Sequence, residues 1–495
     1  MLWRREFICS RTRERVQSAL LSRSGGGISL SAYKPSLSVA SDRSPAQSPQ
    51  RSLTWRSAFV VSLGSTLLVT VSLGPMASEL GAASIVIWIS TALVGFVQCL
   101  LIAELGCRFP DKLGGACVYC HEGLKDVSPV CGAVAAWSYW IGWIPGVAVN
   151  LLLAATYIKA AFWPAADVFK LTFVLVLLLY AFNYLGLKLS TWTSTAMALP
   201  ALVPLLVILG LPLFRSSLWQ NANFTPFLPE GRTWYSFGTL LLAAKWMFVA
   251  VWSSYGGEMV ATMNGELRKP ETDIRKAVTL AAITTTCAFA IVPTILVGTL
   301  GATKMGEDPY VVFLTATKGI FGGFGAALVS VMLIAALILG AQLFIISSSR
   351  ALYQMSKDGV LIRGFSKINK FGVPVGSVRW DLLITISLLA IFKEKIVDVV
   401  AAANVGYLLV FILLPLAYVS VKRKQSQSVG IFTLAKFMNP SALIILVFNI
   451  MLFVIGGVQW GAKVMGVGIL MVLTFIPFYL LRKREKQSSP ISICP

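Results

Sequence analysis

Two short stretches place hydroxyls, glycines and a proline inside otherwise apolar sequence: Val69-Thr-Val-Ser-Leu-Gly-Pro75 and Trp252-Ser-Ser-Tyr-Gly-Gly-Glu258. Pro75 lacks an N–H and Gly74 frees the turn before it, so a helix is expected to break there. The adjacent glycines of the second stretch predict the same. A broken helix exposes backbone amides and carbonyls that bind ions or polar groups without any charged side chain. The expected binding set is Thr70, Val71, Ser72 and Gly74 from the first stretch and Trp252, Ser253, Ser254, Tyr255 and Gly256 from the second. Unwound backbone and the four hydroxyls would hold the polar head of a small molecule, with Trp252 and Tyr255 walling its side-chain pocket.

Ionisable groups nearby are few. Glu258 follows the second break and has three open roles: receiving a proton, pairing with an amine, or accepting from freed amides. Lys245 lies nine residues into its apolar segment, ~13 Å deep if helical. It either snorkels along its stem or takes part in coupling or substrate contact. Glu79 suits a cap or gate. Glu104 and Arg108, four apart, are spaced to pair on one helix face, and Asn150 suits a helix-to-helix hydrogen bond. Cys117-Val-Tyr-Cys120-His121 fits the C-x-x-C-H haem pattern. No second axial ligand is evident and three local soft ligands fall short of a zinc site, so no cofactor and no metal are expected. The other cysteines (Cys9, Cys99, Cys107, Cys131, Cys287 and Cys494) have no paired spacing and read as free thiols.

The elements that position these residues follow from composition. Of 495 residues, 56% are hydrophobic and 13% charged, about half the charge of an average soluble domain. Mean hydropathy is +0.77. Apolar segments near 57–79, 84–106, 128–158, 168–187, 192–214, 236–262, 277–300, 326–350, 378–393, 397–421, 440–459 and 464–481 predict twelve membrane-spanning helices, each near the ~20 residues needed for a ~30 Å hydrocarbon core. Residues 1–56 hold ten Arg/Lys and three acids, and read as a disordered basic tail or an organelle transit peptide. Residues 57–421 would form a core of spans 1–10, 422–481 two peripheral spans, and 482–495 a basic tail.

The net charge of +21 at first suggests a nucleic-acid binder. With the N-terminus inside, the inside loops and C-terminal tail hold 22 Lys/Arg against nine outside. That distribution is the positive-inside signature, with both termini cytoplasmic, and no nucleic-acid partner is expected. The two breaks fall five spans apart. That is the spacing expected if spans 1–5 and 6–10 were inverted repeats, since an odd number of spans makes the second unit enter from the opposite side, and broken helices in corresponding positions of two repeats suit a midplane site. One histidine and scattered acids argue against a membrane enzyme or haem protein. A transport-fold sensor would need an added signalling domain.

Three runs carry a family resemblance. Ala103-Glu-Leu-Gly-Cys-Arg-Phe-Pro110 with Lys112-Leu-Gly-Gly-Ala-Cys-Val-Tyr119 resembles the AELxxRFPxxGGxYxY stretch of the amino acid/polyamine/organocation permeases. Ser254-Tyr-Gly-Gly-Glu258, Gly265-Glu-Leu-Arg-Lys-Pro270 and Ile274-Arg-Lys-Ala277 resemble their SGxE…GExxxPxxxIPRA segment, and Ser347-Ser-Ser-Arg-Ala-Leu-Tyr353 with Lys357-Asp-Gly359 and Gly372-Val-Pro374 their SSRxLYAxxRDG…GxP segment. The runs occur in order across roughly 60–420. The resemblance implies a five-plus-five inverted repeat, two peripheral helices and secondary active transport by alternating access, with a coupling proton or an exchanged solute. The family's Gly-Ser/Thr-Gly triplet for a substrate carboxylate is absent from span 1. Val71-Ser-Leu-Gly-Pro75 instead resembles the VSGGP stretch of the polyamine-transporting branch, so amino acids and polyamines are alternative substrates. Span 5 has no charge to match the lysine that replaces sodium in proton-coupled relatives. The loop near 159–169 has no cysteine for the disulfide of heavy-chain-dependent relatives, and no such partner is expected. A multi-pass protein of the plasma membrane, or of an organelle, is the expected location.

Overall fold

The computed structural model describes residues 51, 53–112, 114–185, 189–424 and 438–488. Nearly all of the predicted N-terminal tail, together with Lys188, Lys436 and residues 489–495, lies outside the described residues. Among the described residues the secondary structure is helical, with two isolated bridges, Leu53 to Leu267 and Ile368 to Pro374. The α-helices are α1 (Trp55–Ser62), α2 (Leu73–Leu80), α3 (Ser84–Arg108), α4 (Ala116–Leu124), α5 (Pro129–Trp143), α6 (Pro145–Ala161), α7 (Val168–Tyr184) and α8 (Leu189–Phe214). They continue as α9 (Phe237–Ser254), α10 (Pro270–Glu307), α11 (Val312–Lys357), α12 (Val375–Phe392), α13 (Ile396–Lys424), α14 (Met438–Met451), α15 (Gly461–Leu473) and α16 (Phe475–Ser488).

Nine helices among the described residues are long and apolar enough to cross a membrane, or ten if the pair Leu202–Phe214 and Ser216–Phe224, bent by 92°, forms one span. The predicted twelve differ from this count for physical reasons. The first segment is only partly α-helical: 3₁₀ turns over Leu63–Val71 separate α1 from α2, and α2 joins α3 in one apolar stretch, Leu73–Arg108. The fourth, α7, is apolar but has 17 residues, at the lower end of spanning length, and so is not among the nine. Helix α10 begins at Pro270, earlier than hydropathy suggests. Proline at the first helical position and Glu271 and Asp273 in the first turn suit a helix start. Non-helical turns at Gly301 (φ 77°) and Gly322 (φ 65°) then account for the shorter segments read from hydropathy.

Helix α10 packs along α3, α11 against α6 and α8, and α13 against α4, α5, α14 and α15. Glycines set the closest approach: a Cβ on Gly406 would lie 2.8 Å from the Ser138 carbonyl, and one on Gly142 2.8 Å from the Tyr407 Cβ. Small residues at such crossings let helix backbones meet without large side chains between them. Outward faces stay apolar, as at Ile444, Val447 and Val454 of the α14 segment, which suits lipid as the solvent.

At the end the charge count assigns to the inside, the expected Glu104–Arg108 pair forms at 2.8 Å and is buried. The Tyr418 hydroxyl donates to Glu104 at 2.6 Å, and Lys422 lies 3.5 Å away. Nearby, Glu122 at the end of α4 is bridged by Lys112 at 2.7 Å and Lys125 at 2.6 Å. Burial pushes the Glu122 carboxyl up, but the two ammonium groups outweigh it and hold the carboxyl below its ordinary range. The N-terminal approach to α1 closes on the same side: the Leu53 N–H donates to the Glu266 carbonyl and its carbonyl accepts from the Arg268 N–H, around the bridge to Leu267, and Arg51 pairs with Asp111.

Candidate substrate site

The chain breaks one step earlier in span 1 than glycine and proline suggest. Ser72 (φ −128°, ψ 9°) ends the 3₁₀ turns, and Gly74 and Pro75 then lie in the first turn of α2. Proline is tolerated there because that turn's N–H has no intrahelical acceptor. Gly74 answers a packing demand instead: a Cβ would lie 2.3 Å from the Pro309 carbonyl oxygen. In span 6, α9 ends at Ser254, and 3₁₀ turns run over Gly256–Glu266. A Cβ on Gly257 would touch Ala282 at 3.4 Å, so this break packs closely on α10. The two 3₁₀ segments lie against each other, which brings the predicted breaks together.

Thr70, Val71, Ser72, Gly74, Trp252, Ser253, Ser254, Tyr255, Gly256 and Glu258 are all buried. The hydroxyls of Ser72, Ser253 and Ser254 and the Oε2 of Glu258 make no hydrogen bond within the protein. Buried polar atoms are nearly always satisfied in proteins, so such a group of unused donors and acceptors fits a polar ligand. The other Glu258 oxygen, Oε1, accepts from the Tyr139 hydroxyl at 2.8 Å and the Tyr407 hydroxyl at 3.3 Å. Among the described residues Glu258 has no ion-pair partner, in contrast to the equally buried Glu104. Trp252 donates from Nε1 to the Gly142 carbonyl at 2.7 Å, with its ring 6.0 Å from that of Trp143. Trp143 stands edge-on to Tyr407 at 5.0 Å. A carboxyl oxygen beside electron-rich rings suits a cationic group, through cation–π attraction and, once the acid is ionised, through charge.

Two of the expected residues have protein partners of their own. Tyr255 turns toward α13 and α14, its ring 5.0 Å from Phe411 and its hydroxyl donating to Asn449 Oδ1 at 3.0 Å. Lys245 is partly exposed and paired with Glu79 at 2.9 Å, between the rings of Trp246 (5.2 Å) and Trp460 (4.9 Å). The pair ties α9 to α2 away from Glu258. Asn150 abuts α11, where a Cβ on Gly340 would lie 2.6 Å from its Nδ2. In the C-x-x-C-H run, Cys117 donates to the Gly114 carbonyl at 3.0 Å, Cys120 faces the Val410 carbonyl at 3.7 Å, and His121 lies against Gly132. The three aim at different partners. Among the described residues no group of three His, Cys, Asp or Glu could hold a metal ion.

Sequence reasoning missed Tyr139, Trp143, Tyr407 and Asn449. Tyr139 and Trp143 are four residues apart in an apolar segment, a spacing that marks one helix face and could have flagged them. Nothing local distinguishes Tyr407 or Asn449.

Helices this long and apolar, with no strand among the described residues, define an integral, multi-pass, all-helical membrane protein. The amino acid permease family model matches residues 53–482, and the chain belongs to that family. It is 23% identical over 409 residues to the amino-acid permease RocE of Bacillus subtilis, covering 79% of this chain and 85% of the relative. It is 25% identical to the lysine-specific permease LysP of Lactococcus lactis, over 57% of this chain and 58% of the relative. A probable polyamine transporter of Arabidopsis thaliana is also 25% identical, over 79% of this chain and 77% of that one. The chain is thus a membrane transport protein of the permease type.

Proposed function

We propose that the protein is a secondary active transporter of amino acids or related amines, working by alternating access around the paired breaks. The observation that carries this reading is that the Ser72, Ser253 and Ser254 hydroxyls and Glu258 Oε2, drawn from the two interrupted stretches, are each buried without a hydrogen bond, while the 3₁₀ turns of those stretches pack on each other. The substrate's polar head binds the serines and the freed backbone of Thr70 to Gly74 and of Tyr255 to Gly256. Its ammonium faces Glu258, between Trp143, Tyr139 and Tyr407. Trp252 lines the same space. Amines compete with a proton for the same carboxylate, which supports a proton or an exchanged solute as the driving partner. Lys245 and Glu79 act as an outer tie between the moving halves of spans 1 and 6.

The scaffold we assign is twelve spans, with spans 1–5 and 6–10 as an inverted repeat, both termini cytoplasmic and the plasma membrane as the site of action. The 22-to-nine distribution of Lys/Arg supports that orientation. A polyamine substrate is the second reading, favoured by the similarity to a plant relative named as a probable polyamine transporter. Purified protein in liposomes with an imposed proton gradient tests both. Uptake of labelled lysine with no uptake of spermidine supports the first, and the reverse supports the second. Uptake of no amino acid and no polyamine sinks both.

A further inference from the structure

The segment after residue 437 is expected to be peripheral, yet α14 and its continuation are fastened to span 6 at three points, one at its break and two at adjacent residues of α9. Asn449, fully buried, accepts from the Tyr255 hydroxyl at 3.0 Å and donates from Nδ2 to the Phe411 carbonyl at 2.8 Å. The Phe411 carbonyl can only accept, which sets Nδ2 against it and leaves Oδ1 to accept from the phenol. Seven residues on, Gly456 closes a π-helical turn, Leu452–Gly456, where a Cβ would lie 2.3 Å from the Ala244 carbonyl oxygen. Four residues further, Trp460 donates from Nε1 to the Lys245 carbonyl at 3.0 Å. The π turn between them interrupts the α-helical period, and Trp460 lies in the turn that follows, so it is this local rewinding that lets all three residues face span 6. The residues Ile444, Val447, Val454 and Val458 are exposed and apolar. This segment therefore offers one side to lipid and the other to span 6.

The upper contact reaches the break itself. Tyr255 is the residue between the end of α9 and the 3₁₀ turns, and its carbonyl accepts from the Glu258 N–H at 3.1 Å. Its ring is clamped on the opposite side by α3, where a Cβ on Gly95 would lie 2.9 Å from Tyr255 Cδ1 and 2.8 Å from the Ser254 carbonyl oxygen. Holding the phenol therefore fixes the directions in which the Ser254 hydroxyl and the Glu258 carboxylate leave the backbone.

We infer that Asn449 is a positioning residue for the central site, acting through Tyr255, and that the α14 segment forms one unit with the outer half of span 6. The inference rests on the substrate-site reading proposed above. The test is uptake of labelled lysine, with labelled spermidine in parallel, by full-length protein in liposomes. The variants are Asn449→Ala, Tyr255→Phe and the double variant, with Ser254→Ala as the site control and thermal unfolding as the fold control. Loss of a shared anchor raises KM about tenfold in each single variant, equivalent to 1.4 kcal/mol, leaves maximal rate within about twofold, and raises it no further in the double variant. Tyr255→Phe keeps the ring, so it remains informative if Asn449→Ala does not fold. If Tyr255→Phe and Ser254→Ala raise KM while a folded Asn449→Ala does not, the inference is wrong and the site stands. If Ser254→Ala alone acts, Tyr255 positions nothing and the inference is again wrong. If none of the variants alters KM, or neither compound is carried, the site reading falls and the inference with it.

Discussion

Replacing Glu258 by glutamine tests the central site most directly. The amide keeps an oxygen that can accept from the Tyr139 hydroxyl, now at 2.8 Å from Oε1, and nearly the same volume. The fold is therefore expected to persist. What the variant removes is the ionisable oxygen Oε2, which makes no hydrogen bond within the protein and is proposed to receive the substrate ammonium on giving up its proton. A hydrogen bond to a charged group contributes about 2 kcal/mol, so its loss weakens Kd roughly 30-fold. At a ligand concentration of about 100 times the wild-type Kd, binding stabilises the wild-type protein by about 2.7 kcal/mol. For the variant the same concentration is only about three times Kd, and the gain falls to about 0.8 kcal/mol. The assay is a thermal-shift titration with lysine, arginine, putrescine and spermidine in detergent. The ligand-induced shift should collapse for the variant, while its unfolding temperature without ligand stays near the wild-type value. An undiminished shift for Glu258→Gln, with whichever of these compounds shifts the wild type, would refute the assignment of Oε2 as the amine acceptor.

Arg108→Gln leaves the fully buried Glu104 carboxylate with the Tyr418 hydroxyl at 2.6 Å and Lys422 at 3.5 Å. Breaking a buried pair costs about 3–5 kcal/mol, and the remaining ammonium places this variant near the low end; denaturant unfolding should register it, and wild-type stability would contradict it. At the inner face, Glu122 has its carboxyl lowered by Lys112 and Lys125 against the opposing effect of burial. A lowered acid contributes stability above its unfolded value and loses it as pH falls through the folded one. Wild type and Glu122→Gln should therefore differ in unfolding temperature at neutral pH and converge as acid protonates Glu122, and a difference that persists in acid would contradict the pairing.

Much of the architecture was legible in the sequence because it depends on local quantities. Hydropathy over about 20 residues reports whether a helix can sit in lipid, and glycine, proline and hydroxyl runs report where it must break. Those signals located both interruptions, and the four-residue spacing of Glu104 and Arg108 anticipated their pair. Local signals also misjudged details. Gly74 and Pro75 pointed to a break that backbone geometry puts at Ser72, because an N-terminal turn tolerates proline and the glycine serves the approach of the Pro309 loop.

The sequence by itself determined the membrane class, the family through its ordered motifs, the asymmetry of charge and the two stretches where helices are interrupted. Tertiary structure alone decided which groups meet there. Glu258 finds Tyr139 and Tyr407, 119 and 149 residues away in the chain. Tyr255 finds Asn449 at a separation of 194, and Lys245 finds Glu79 at 166. Helix periodicity couples only residues within a turn or two. Partners more than a hundred residues apart are selected by how whole helices pack, through contacts as close as Gly456 on Ala244 and Gly95 on Ser254. That is why the breaks could be read from the sequence, and why the direction each side chain takes from them could not.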